Sequence, residues 1–269
     1  MKYILSLDQG TTSSRAVLLN HRAQIVSMEQ MEFAQHYPQS GWVEHDATDI
    51  WNTQITCAQN CLRKAGVTAK EVAAIGVTNQ RETTVIWDRR TGEPVAPAIV
   101  WQDRRTAPFC TELQRRGVEV LVREKTGLRI DPYFSATKIR WILDHHPGLM
   151  QRAEKGELAF GTIDTWLIWK LTGGRVHATD ITNASRTMLC NLATGQWDDE
   201  LLDIFGVPAS LLPEIVPSSA LIGKTSSELL GGEIPIGGVA GDQQAATFGQ
   251  ACLNQAVLKI PTARVVFCS

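Results

Sequence analysis

The sequence predicts an α/β fold of the ribonuclease-H-like type, a mixed sheet flanked by helices. Three observations carry this expectation. Three strand patterns follow one another within the first 32 residues, separated only by turn chemistry, and so read as an antiparallel opening. Beyond them helical and strand patterns alternate, the order that builds a sheet with helices on its faces. Near the other end, IPIGGVAG reads as a buried strand that hands over through a Gly-Asp pair to a helix. A doubly wound sheet with a different opening is the runner-up.

Taken in order, Tyr3 to Leu7 is the first strand, LDQGTTSS its turn and Arg15 to Leu19 the return; a third strand covers Gln24 to Glu32 after the polar NHRA. WVEHDATDIWNTQITCAQNCLRKAG is helical. Asp46 and Asp49 resemble a capping box, Ile50, Trp51, Ile55, Ala58, Cys61 and Leu62 fall on one face, and Gly66 ends it. AAIGVT (73–78), TTVIWD (83–88) and PAIVW (97–101) are strands, the first two separated by NQRE. A helix follows QDRRT. Ser135 caps the next, through Trp141, Ile142 and Leu143, and Thr162 caps a third that Gly173-Gly174 stops. Residues 234–250 supply the last strand and helix.

Composition narrows the functional classes. With 269 residues, 43% hydrophobic and 20% charged, the chain buries a sizeable core. A formal net charge of -2 argues against a general attraction to nucleic acid or anionic membrane. The pairs Arg89-Arg90 and Arg104-Arg105 read as solvated faces. Six cysteines show no CxxC pair and no zinc spacing; Cys57 and Cys61, four apart, read as small buried residues of one helical face. MKYILSL is too short for a secretory core and no stretch reaches the ~18 apolar residues of a membrane span, so the expected setting is cytoplasmic.

Several stretches carry chemistry beside a plainer reading. In LDQGTTSSR, backbone N–H groups and hydroxyls of a turn between strands can converge into an anion nest, with Asp8 for Mg²⁺ and Arg15 for phosphate charge. The same letters also make an ordinary polar hairpin. Gly223-Lys224-Thr225 imitates the end of a P-loop, but position 218 holds Ser instead of the first glycine. Arg81-Glu82 is either a polyol clamp or an exposed ion pair. Trp101 and Tyr133 suit the carbons and hydroxyls of a small substrate, or serve as core aromatic and loop anchor. Asp242, at the carboxyl end of a buried-type strand, can accept a hydroxyl proton, cap its helix, or both. His145, His146 and His177 have no partner pattern and read as local hydrogen-bonding residues.

Together these stretches say more than any one of them. DQGTTSSRAV, GWVEHD, AAIGVTNQRETTVIW, AIVWQDRRT, IDPYFS, FGTIDTWLIWKLT, TNASRTML and GDQQAA occur in the order of the glycerol kinases, a branch of the FGGY carbohydrate kinases within the actin-like ATPase superfamily, and the chain resembles them from about Tyr3 to about Leu258. The resemblance implies transfer of the γ-phosphoryl group of MgATP to glycerol, giving sn-glycerol 3-phosphate. It implies Asp242 as general base, Arg81, Glu82, Trp101, Tyr133, Asp242 and Gln243 around glycerol, Thr11, Thr12, Ser13 and Arg15 in the first phosphate loop, and Asp8 as the magnesium carboxylate. The implied partners are glycerol and ATP/ADP, with no nucleic acid and no membrane span; a homo-oligomer is left open.

The resemblance also divides the chain, into a first kinase domain over 1–249 and the opening of a second over 250–269, with the family pattern lost after Lys259. There the family reads Asn-Thr-Tyr-Gly-Thr-Gly-Cys-Phe and this chain reads IPTARVVFCS. One A inserted after the Lys259 codon of a back-translation restores the family text, so a shifted reading frame is the expected origin of the tail. An impaired enzyme is then expected, the alternatives being a non-catalytic glycerol-binding fragment or a non-functional frameshifted product. Sequencing the locus across the Lys259 codon checks the shift: a run of A one base short is expected.

Overall fold

A computed structural model describes residues 2–251. The expected start of a second domain, the tail for which a shifted reading frame is expected, Cys252 and Cys268 lie outside the described residues, apart from the first two positions of that segment. The elements that position the site are β1 (Tyr3–Gln9), β2 (Ser13–Leu19), β3 (Ile25–Glu32), α1 (Ala47–Ala65), β4 (Val72–Asn79), α2 (Ser135–His145), α3 (Ile163–Leu171), β5 (Gly223–Lys224), β6 (Pro235–Gly241) and α4 (Asp242–Gly249).

Six strands form one sheet in the order β5-β6-β4-β1-β2-β3. β1, β2 and β3 run antiparallel in sequence, as their short polar turns require, whereas β1, β4 and β6 are mutually parallel. In the parallel part Gln9 is level with Asn79, and Asn79 with Gly241, so three strand ends open onto one edge. The mixed sheet of the predicted fold is therefore present. β2 begins at Ser13, earlier than expected, which leaves only Gly10 to Thr12 as the turn.

α1 lies against the sheet through its predicted stripe: Ile50, Ala58, Cys61 and Leu62 are buried, with Trp51 and Ile55 packed beside them. Asp46 caps it by accepting from the Thr48 amide, and Gly66 closes it at φ 64°, a left-handed conformation cheap only for glycine. Trp166 of α3 donates from Nε1 to the Ala47 carbonyl at 2.8 Å and packs 5.2 Å from Trp87, so the two helices share one core. Cys57 and Cys61 are buried thiols whose pKa values burial pushes up, in keeping with an apolar role.

A second core lies beyond a two-stranded ribbon that pairs Val85–Asp88 with Leu158–Gly161. Strand alternation divides the ribbon between the cores. Val85, Trp87 and Ala159 join the first; Ile86, Leu158 and Phe160 join the second, with Leu113, Ile139 and Phe205. Both faces of the Val85–Asp88 strand are therefore covered.

Three local expectations are corrected. Phe134 occupies the position before α2, so Ser135 is its first residue, and its hydroxyl donates to the Glu82 carbonyl instead of capping. Arg105 is buried, bonded to Asp103 and Glu44 and sandwiched between Trp42 and Trp141 at 3.9 and 4.7 Å. Arg89 is likewise held, donating to the carbonyls of Leu158 and Ser210. As expected for a mere imitation of a P-loop, Lys224 sits in edge strand β5, 3.5 Å from Glu233.

The open strand ends rest on a buried polar network. Asn79 Nδ2 donates to Asn183 Oδ1 at 3.0 Å and to Asp164 Oδ1 at 3.4 Å. Asn183 in turn donates to Asp180, and Thr182 Oγ1 accepts the Gly241 amide at 2.8 Å. Burial, reinforced by the neighbouring Asp180 charge, pushes the Asp164 pKa up to about 7. Asp164 therefore holds a proton in the folded protein that the unfolded chain has released between 3.8 and about 7, and stability falls as pH rises through that window. Asp164→Asn removes the titration. Urea unfolding from pH 4 to 8 should show wild type losing ground to Asp164→Asn by up to about 1.4 kcal/mol per pH unit, levelling off above about 7.

Candidate active site

The edge where β1, β4 and β6 end carries most of the predicted residues. β1 contributes Asp8, half-buried, with Arg15 of β2 at 3.5 Å from its Oδ2. Burial raises the Asp8 pKa, Arg15 opposes the rise, and the charge of Asp242 adds to it, so carboxylates from β1 and α4 face one space. Gly10 turns the chain by donating its amide to the Ser13 carbonyl at 2.9 Å; a Cβ there would lie 3.3 Å from that oxygen. Thr11 and Thr12 form the tip. Ser13 belongs to β2, where its hydroxyl accepts from Gln30.

β4 runs on through Gln80 into Arg81 and Glu82, both buried. Gln80 donates to the side chain of Gln9 and to the Gly10 carbonyl, tying this segment to the turn after β1. Arg81 Nε lies 3.3 Å from Asp242 Oδ1, an ion pair whose N–H is not aligned on the oxygen. Gly241 makes this approach possible: a Cβ at 241 would stand 2.4 Å from Arg81 Cδ. Gly241 is also the residue that precedes α4, so Asp242 is its first residue and not its cap. Asp242 accepts the Gln243 amide and keeps half of its side-chain surface exposed (52%), open to a ligand.

Glu82 is held in the left-handed region at φ 61°, a strain of about 1 kcal/mol or more for a residue other than glycine. Its carbonyl accepts from Ser135 Oγ and Lys138 Nζ, and its carboxylate accepts from Arg186 Nε at 2.7 Å. Burial raises the Glu82 pKa while Arg81 and Arg186 pull it down. Arg81 and Glu82 thus do not pair as an exposed bridge; each is claimed by a different partner.

Aromatic side chains close the space. Trp101 donates from Nε1 to Thr11 Oγ1 at 3.0 Å and meets Tyr133 edge to face at 5.5 Å. The guanidinium of Arg186 lies over the rings of Tyr133 and Phe134 at 5.6 and 4.8 Å. Burial raises the Tyr133 pKa, with Glu82 adding to the effect. Trp101 therefore bridges the turn after β1 and the loop before α2. Gln243 and Thr12 are exposed on the same edge.

Two residues escaped the reading of single motifs, Arg186 and Lys138. Arg186 lies in TNASRTML and Lys138 follows DPYFS, stretches that carry no charge pattern pointing at a distant carboxylate or carbonyl. Among the described residues no helix is long and apolar enough to cross a membrane.

The model of the FGGY family of carbohydrate kinases, N-terminal domain, matches residues 3–249. Glycerol kinase of Albidiferax ferrireducens is 61% identical over 259 residues, 96% of this chain and 52% of that protein. Glycerol kinase of Deinococcus radiodurans is 60% identical over 258 residues, 96% of this chain and 51% of that protein. The chain spans about half the length of the curated relatives it matches. Among solved structures, Plasmodium falciparum glycerol kinase with ADP superposes with a TM-score of 0.89 at 39% identity, over 93% of this chain and 50% of that one. Gluconate kinase from Lactobacillus acidophilus follows at 0.83 and 25% identity, over 92% of this chain and 49% of that one. By a match that takes in the whole strand-end site, this chain belongs to the FGGY family of carbohydrate kinases, through its N-terminal domain.

Proposed function

We propose that this chain forms the polyol- and phosphate-facing domain of an ATP-dependent glycerol phosphotransferase that makes sn-glycerol 3-phosphate. The observation that carries the reading is the meeting of Arg81 and Asp242 beside buried Glu82, from two parallel strands, with Asp242 still open to solvent. The names of the relatives at about 60% identity agree with it.

Phosphoryl transfer asks for positioning and charge stabilisation more than for covalent chemistry. Glycerol has three hydroxyls and a short apolar edge. The Arg81 guanidinium and the Glu82 carboxylate each suit neighbouring hydroxyls, Tyr133 adds a phenol, and Trp101 offers an indole face to the carbons. Asp242 accepts the proton of the attacking hydroxyl: of the three site carboxylates its side chain is the most exposed, 52% against 23% for Asp8 and 2% for Glu82. Thr11, Thr12 and Ser13 with the turn amides would face phosphate oxygens, Arg15 their charge.

The donor set at β1 suits Mg²⁺ arriving with a nucleotide: Asp8 offers hard carboxylate oxygens, its side chain 23% exposed, with Arg15 no nearer than 3.5 Å. When bound there, Mg²⁺ neutralises phosphate charge. In support of a cytoplasmic setting, the four described cysteines, Cys57, Cys61, Cys110 and Cys190, are free thiols.

Glycerol added to the 269-residue chain should change tryptophan fluorescence saturably, and Trp101→Phe should abolish most of the change. Arg81→Ala should weaken binding by about tenfold or more, the cost of losing a charged hydrogen-bond donor. A flat titration would reject the pocket. Gly241→Ala should have a similar effect without touching a polar group, because the added methyl displaces Arg81; calorimetry showing unaltered glycerol affinity in that variant would disprove the role of the close approach.

A further inference from the structure

Lys138 is one of the largest fully buried side chains in the protein, 0% exposed, yet no carboxylate lies within ion-pair distance of it among the described residues. Its ammonium spends its hydrogen bonds on two main-chain carbonyls instead. Nζ donates to Tyr133 O at 2.6 Å and to Glu82 O at 3.2 Å. These are the carbonyls of the two residues that line opposite walls of the pocket, one at the end of a β4 extension and one in the loop before α2.

Burying an unpaired ammonium is costly, and a methionine or leucine would fill the same volume without that cost. A cation here is therefore not explained by packing. Its effect is to join two segments that have no covalent reason to stay in register. Glu82 needs such a restraint because its backbone is held at φ 61°. Tyr133 lies in a loop where Asp131 Oδ1 takes its amide at 2.8 Å and Trp101 and Arg186 touch only its ring, so Lys138 is what ties its carbonyl to the Glu82 segment.

Resting on the glycerol reading above, we infer that Lys138 is a positioning residue: it straps the main chains of Glu82 and Tyr133 together and so sets the width of the polyol pocket. Ser135, one turn earlier on α2, donates from Oγ to the same Glu82 oxygen, but only Lys138 also holds the Tyr133 carbonyl. Arg186 aims the Glu82 carboxylate; Lys138 fixes the backbone that carries it.

Burial lowers the Lys138 pKa to about 7, while the groups around it, Glu82, Asp103, Asp131 and Cys110, pull the other way. The ammonium is thus charged below about 7 and neutral above, and a neutral amine is the weaker donor.

The test compares wild type with Lys138→Met, Lys138→Gln and Ser135→Ala, with and without glycerol. Without ligand, hydrogen exchange at peptides covering 80–86 and 130–136 should rise by about tenfold in Lys138→Met while α1 is unchanged. Lys138→Gln, which keeps a donor, should recover part of the protection, and Ser135→Ala, which leaves Lys138 on the Tyr133 carbonyl, should loosen both peptides less than Lys138→Met does. Glycerol affinity should fall by about tenfold in Lys138→Met at pH 6, and the gap should narrow to about threefold or less at pH 8.5 as the wild-type ammonium titrates. A merely structural role would move neither the pH dependence nor the two peptides selectively. Unchanged exchange at either peptide in both Lys138 variants overturns the strap, whatever glycerol does. If the peptides loosen while wild type binds no glycerol, the strap stands and the glycerol reading fails. Should Lys138→Met not fold, Lys138→Gln against Ser135→Ala decides: the strap requires the larger loosening at 130–136 in Lys138→Gln, and an equal or smaller one overturns it.

Discussion

The site depends on one constraint, that β1, β4 and β6 are parallel and end level with one another. Parallel strands cannot be joined by tight turns, so each strand end continues into a different kind of segment. β1 turns at Gly10 into a hairpin, β4 runs on into Arg81 and Glu82, and β6 passes at Gly241 into α4. Three chemistries are thereby delivered to one edge: a hydroxyl-rich turn, a charged pair and an open carboxylate. The backbone at such an edge lacks partners, and side chains supply them. Gln80 reaches the Gly10 carbonyl, Thr182 takes the Gly241 amide, and Asn79 anchors to Asn183 and Asp164. The polar network below the site is thus the means by which the strand ends stay level.

Above that level, cations organise the carboxylates. Arg81 approaches Asp242, Arg186 holds Glu82 and Arg15 stands by Asp8, so no carboxylate of the site is left uncompensated. These pairs differ in depth, and the difference matters. Glu82 is buried and fully engaged, a fixed feature of the wall. Asp242 is half open and loosely paired, its carboxylate accessible from solvent. Removing one member of the buried pair would leave a desolvated charge, whereas the exposed pair is weak by nature.

Much of this was legible before any coordinates. Hairpin chemistry near the start, the helical stripe of α1 and the Gly-Asp hand-over at 241–242 all follow from period, caps and turn residues, and all are present. What local pattern misread were charged residues whose partners lie far along the chain. Arg105 looks solvated beside Arg104, yet Trp42 and Trp141, more than thirty residues away on either side, enclose it. Ser135 has the letter of a cap, but its hydroxyl is drawn to Glu82, 53 residues earlier. Lys138 and Arg186 carried no signal of their own, because a lysine bound for two carbonyls looks the same as a lysine bound for water.

By itself, the sequence determined the strand-rich opening, the α1 helix and the closing strand-to-helix hand-over, and, by the order of its motifs, which family's chemistry to expect. Those properties depend on neighbours within a few positions or on a pattern read end to end. Only the tertiary structure decided which charges pair, which faces are covered on both sides, and why Glu82 tolerates its backbone conformation. The physical reason is that desolvation and hydrogen bonding act between groups brought together by the parallel register, at separations of 50 to more than 150 residues, as in Glu82 with Arg186 and Arg81 with Gln244.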